Sequence, residues 1–101
     1  MKVANEVDIA NAGIFERCLT EASSDVSALV VSLATCRYID SSGLRPLIRM
    51  AERLGNAFGV VVPPGTQIRR IFDLTRLQEQ MIVCDSIESA IHKVGARKAM
   101  T

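Results

Sequence analysis

Apolar residues recur along the chain at two spacings, and the first is helical: Phe15, Cys18, Leu19 and Ala22 share one face, with Glu16, Arg17 and Glu21 elsewhere. Asp8 stands ahead of them as a capping residue, which predicts a helix over roughly 8 to 23. Ser23-Ser24-Asp25 interrupts it. Ala28-Leu29-Val30-Val31-Ser32-Leu33 is then nearly continuous in apolar character and of strand length, the pattern of a strand buried on both faces. A short connection holding Cys36, Tyr38 and Ile39 leads to Asp40-Ser41-Ser42-Gly43, and helical spacing returns at Leu44, Leu47, Ile48, Ala51 and Leu54. Arg45, Arg49, Glu52 and Arg53 occupy the other side of this second helix. Gly55 and Asn56 end it, Phe58-Gly59-Val60-Val61-Val62 reads as a further buried strand, and Pro63-Pro64-Gly65-Thr66 turns the chain. Ile68, Ile71 and Phe72 mark a short third helix, Met81-Ile82-Val83-Cys84 a strand, and Ile87, Ala90, Ile91 and Val94 a last helix behind Asp85 and Ser86.

Strands that alternate with helices through short connections predict an α/β domain with a mixed, largely parallel sheet, because parallel neighbours need a crossover between them. The domain is expected over residues 1–95, with a frayed basic tail at 96–101. Pro46 falls inside the second helix, where proline removes a hydrogen bond, so that helix is expected to start late, near Ser42 or Gly43, or to be distorted.

Composition narrows the functional classes. The 101 residues suit one domain, and 49% apolar against 23% charged residues is an ordinary globular balance. Twelve Lys and Arg against 11 Asp and Glu leave no basic field for a phosphate backbone, so no direct contact with nucleic acid is expected. No apolar run approaches the roughly 20 residues that span a bilayer, and Met1 to Glu6 lack the apolar centre of a signal peptide, which points to a cytoplasmic protein with no membrane span. Cys18, Cys36 and Cys84 are widely spaced and are expected to fill small core positions.

The candidate chemistry is sparse. His92 is the only histidine, no Gly-x-Ser-x-Gly elbow occurs, and neither Ser41 nor Ser42 has a lysine three residues on. No catalytic residue, metal-ligand spacing or phosphate loop stands out, so neither an enzyme nor a cofactor is expected. The segment Asp40-Ser41-Ser42-Gly43-Leu44 is first of all a helix cap, since Asp and Ser accept hydrogen bonds from the free N–H groups of a first turn. It also suits a phosphorylation site: a phosphate there would meet the positive end of the second helix, with Arg37 and Arg45 flanking it.

The order of these elements, together with Tyr38-Ile39-Asp40-Ser41-Ser42-Gly43-Leu44, resembles the STAS domain family, and more narrowly its bacterial anti-sigma factor antagonists. Glu6-Val7-Asp8 is similar to the family's Gly-Glu-Leu-Asp segment and Ile71-Phe72-Asp73-Leu74-Thr75-Arg76-Leu77 to its third-helix signature. The resemblance implies that Ser41 is phosphorylated by an anti-sigma factor with serine kinase activity, that this ends binding to that partner, and that a serine phosphatase restores it. Asp40, Ser42, Gly43, Leu44 and Arg45 would support the switch and contact the partner, with Ser42 a second candidate acceptor. The alternative is an unphosphorylated STAS scaffold in a stress-sensing or lipid transport complex. Asn5 and Arg76 stand where the family carries glycine. Few residues precede Glu6, so the N-terminal strand or strands are expected to be shortened or absent, leaving a sheet edge through which a homodimer would form.

Overall fold

The structure, a computed structural model, describes residues 1–99, with side chains described as far as Val94. The elements run β1 (Lys2–Val7), α1 (Ala12–Ser23), β2 (Leu29–Ile39), α2 (Ser41–Leu54), β3 (Phe58–Val61), α3 (Gln67–Leu74), β4 (Ile82–Cys84) and α4 (Ile87–Ala99). Every strand pair among the described residues is parallel, in the order β1-β2-β3-β4, so the α/β expectation holds and each step across the sheet is a helical crossover. The carboxyl ends of all the strands consequently lie at one end of the sheet.

Most of the core is one cluster. Phe15 and Leu19 of α1, Leu47 and Met50 of α2, and Ile68 and Phe72 of α3 meet Val31 and Leu33 of β2 and Val60 of β3. Val61, Cys84 and Ala90 of α4 form a second cluster, backed by Val30 and Ile82. Successive strand residues face opposite ways, so Val60 and Val61 place the two clusters on opposite faces of the sheet. Helices α1 and α2 are further tied by an ion pair between Arg49 and Glu16 and by a hydrogen bond from Arg53 to the Ser23 hydroxyl.

Several boundaries depart from the sequence pattern, each for a local reason. The segment expected to be at most a shortened strand forms β1, with Val3 and Val7 buried. Asn5 lies between them with φ 64°, which breaks the alternation that would have announced a strand. Helix α1 begins at Ala12 rather than near Asp8, because Asp8 tightens the preceding turn instead of capping. Its Oδ1 accepts from the Ala10 N–H at 3.0 Å and its carbonyl from the Asn11 N–H at 3.1 Å, while Asn11 Oδ1 accepts from the Asp8 N–H at 2.9 Å.

Strand β2 continues to Ile39 instead of ending at Leu33. Its pairing with β1 slips twice: Lys2 lies opposite Ser32 but Ala4 opposite Thr35, and Asn5 lies opposite Cys36 but Glu6 opposite Tyr38. Each slip puts an extra residue on β2 and hides its alternation. Helix α2 starts at Ser41 and runs through Pro46 without interruption, so it does not start late. Cys18 is exposed on α1, whereas Cys36 and Cys84 are buried as expected. Helix α4 extends to Ala99, into the segment read as tail; Met100 and Thr101 lie outside the described residues.

Candidate functional site

The segment singled out in the sequence lies at the carboxyl end of the sheet, where open α/β sheets place their functional groups. Asp40 leaves β2 in an extended conformation, φ −108° and ψ −174°, and caps α2. Its Oδ1 accepts from the Ser42 N–H at 2.9 Å and the Gly43 N–H at 3.4 Å, and its carbonyl accepts from the Leu44 N–H at 3.0 Å. The Asp40 N–H donates to the Val7 carbonyl at 3.2 Å, which ties the cap to the end of β1. Ser41 is the first residue of the helix and is exposed, with no side-chain partner among the described residues. Ser42 is half-buried. The two hydroxyls are therefore unequally placed, Ser41 being the more exposed.

Gly43 explains how the helix comes so close. A Cβ at this position would stand 2.6 Å from Val7 Cγ1 and 2.7 Å from Ile39 Cγ1, so only glycine lets the first turn seat on the ends of β1 and β2. Leu44 is buried next to it. Both residues shape the site from inside, and neither presents a surface to a partner. Arg45 and Arg37 are exposed, and neither enters an ion pair among the described residues.

A groove missed by the sequence reading adjoins this segment. It has a volume of about 350 Å³ and lies between the end of β2 and α3, lined among others by Arg37, Tyr38, Arg70, Ile71 and Leu74. Tyr38 is 46% exposed and Leu74 75% exposed, so an aromatic and an aliphatic side chain stand in water three residues from Ser41 and on the facing helix. Leu74 follows the helical spacing of Ile71 and Phe72 imperfectly; that mismatch was the available signal for an outward-facing leucine.

The remaining chemistry of the chain is elsewhere and quiet. His92 is exposed on α4, and among the described residues no group of histidine, cysteine and acidic side chains could hold a metal ion. No helix of the described residues is long and apolar enough to cross a membrane. Cys36, buried beside the site, has its thiol pushed above the usual range mainly by burial, with the Glu6 charge adding to the effect and a hydrogen bond to the Tyr38 backbone opposing it.

A parallel four-stranded sheet whose strands are joined by helical crossovers defines a small domain of the α/β class. The STAS domain model matches residues 1–90, and the chain belongs to the STAS domain family. It is similar to the anti-sigma-F factor antagonist RsfB of Mycobacterium tuberculosis, 28% identical over 94 residues that cover 90% of this chain and 76% of that one. The crystal structure of an anti-sigma factor antagonist from Mycobacterium paratuberculosis superposes with a TM-score of 0.82 at 28% identity, covering 93% of this chain and 82% of that one. The anti-sigma factor antagonist SpoIIAA in its unphosphorylated form shares the fold, with a TM-score of 0.61 at 15% identity over 98% of this chain and 84% of that one.

Proposed function

We propose that this chain is a cytoplasmic anti-sigma factor antagonist that works by phosphorylation-dependent partner switching. The observation that carries the proposal is the exposure of the Ser41 hydroxyl on a helix start whose amides are already capped by Asp40. In the unphosphorylated state the protein binds an anti-sigma factor through the Ser41 segment and the adjoining groove at Tyr38 and Leu74. That partner also holds ATP. Ser41 Oγ attacks the γ-phosphorus, the bond to the bridging oxygen breaks, ADP leaves, and the hydroxyl proton passes to a base of the kinase. The product carries roughly −1.5 to −2 charges at the interface, which repel the partner and end binding; a serine phosphatase resets the switch by hydrolysis.

The test is phosphate transfer from ATP by a kinase-type anti-sigma factor, read by mass spectrometry. One phosphate on the wild type, one on Ser42→Ala and none on Ser41→Ala is the expected result. Equal labelling of Ser41→Ala would overturn the assignment. Ser41→Asp should bind the unloaded anti-sigma factor at least about tenfold more weakly than wild type, because it places a charge in the contact surface. A scaffold role would instead leave binding indifferent to Ser41→Asp.

A further inference from the structure

Helix α3 carries two apolar faces, and the core takes up only one of them. Ile68 and Phe72 are buried, whereas Gln67, Arg70, Ile71 and Leu74 fall at helical spacing along the side that borders the groove beside Tyr38. The arginines of this helix divide in the same way. Arg69 is engaged on three sides: its Nη1 donates to the Val62 carbonyl at 2.7 Å and to Asp85 Oδ1 at 2.8 Å, and its Nε stands 3.6 Å from Asp73 Oδ1. Arg70, one position on, is exposed and enters no ion pair among the described residues. Arg37, across the groove on β2, is in the same condition.

No aspartate or glutamate lines this groove. The acids on the elements that form it are committed elsewhere: Asp73 pairs with Arg69 and accepts from Gln78 Nε2 at 3.4 Å, and Asp40 caps α2. Glu6, the pairing partner of Tyr38 on β1, forms no ion pair with either arginine. A chain with 12 basic and 11 acidic residues thus keeps two uncompensated positive charges around one exposed tyrosine and one exposed leucine. Tyrosine and arginine are also the side chains that most often anchor protein interfaces.

Given the anti-sigma factor partner proposed above, we infer that the segment of that partner seated in this groove is acidic. An aliphatic side chain packs between Tyr38 and Leu74, and carboxylates on either side of it pair with Arg37 and Arg70. The sign of the partner's surface would also account for release. A phosphate on Ser41 has the same sign as those carboxylates and competes with them for the Arg37 guanidinium, whereas a basic partner surface would be drawn to phosphoserine.

The test is calorimetric binding of the full chain to its kinase-type anti-sigma factor, without nucleotide and with ADP, alongside phosphate transfer from ATP. Arg37→Glu and Arg70→Glu should each bind about tenfold more weakly or worse, while Lys93→Glu, the same change in net charge placed on α4, should bind like wild type. Both arginines are exposed, and unchanged circular dichroism would confirm the fold. Arg37→Lys and Arg70→Lys keep the charge and supply an amine, so a carbodiimide should join each variant to an aspartate or glutamate of the partner, located by mass spectrometry of the linked peptides. Unchanged affinity in both glutamate variants, or no such link from either lysine variant while the complex forms, overturns the inference and leaves the Ser41 switch standing. Loss of affinity confined to the ADP-bound partner overturns it too, and assigns the arginines to the nucleotide's phosphates. A wild type that binds the anti-sigma factor but takes no phosphate overturns the switch and not the groove; one that does neither overturns both.

Discussion

Single residues determine how rigidly the serine is presented. Gly43 is the clearest case, because the room that a methyl group would need is filled by Val7 and Ile39, both buried and held by their strands. Gly43→Ala should destabilise the fold by about 1–3 kcal/mol through overpacking, even though alanine is the better helix former, and denaturant titration would show it. Cys36 makes a second prediction. Its folded-state thiol titrates above its unfolded value because burial disfavours the thiolate. The unfolded chain therefore releases that proton first, so the stability this residue contributes is complete below the ordinary thiol range, about 8.5, and is lost as pH rises through the folded value. Wild type should lose more thermal stability than Cys36→Ala between about pH 8 and 10. Exposed Cys18 should be alkylated first in the native protein.

At the scale of elements, the two positions where this chain departs from the family's glycines have kept the backbone that glycine usually serves. Asn5 has φ 64° and Arg76 φ 57°, and these are the only non-glycine residues with positive φ among those described. Asparagine tolerates this region, whereas arginine has no such excuse: its ion pair with Glu79 is exposed and contributes little. Arg76→Gly should stabilise the protein by up to about 1 kcal/mol, the relief of left-handed strain less the entropy that glycine adds to the unfolded chain, measurable as a higher melting temperature. The same positions explain what was legible in the sequence. Helices were readable because Leu44, Leu47 and Ala51, or Ile68 and Phe72, keep their period undisturbed. Strand β1 was not, since Asn5 turns the chain between Val3 and Val7, and the far half of β2 was not, since its bulges break the alternation. Asp8 and Asp40 are both aspartates ahead of a helical pattern, yet only Asp40 caps one; the difference lies in Asn11, whose side chain takes the Asp8 N–H and closes a turn first.

For the molecule as a whole, the serine was visible as a candidate because capping chemistry is local, and the surface around it was not, because Tyr38, Arg70 and Leu74 meet only once α3 folds back beside the end of β2. Pro46 looked like a threat to the helix start and proved compatible with it: its missing N–H costs only the Ser42 carbonyl its partner, while the Asp40 cap remains in place. The parallel order of the sheet has a further consequence for how the molecule is approached. Every strand ends on the same side, so the Ser41 segment at the carboxyl end of β2 stands at one pole, and the opposite pole, where every strand begins, would stay clear of anything that binds there.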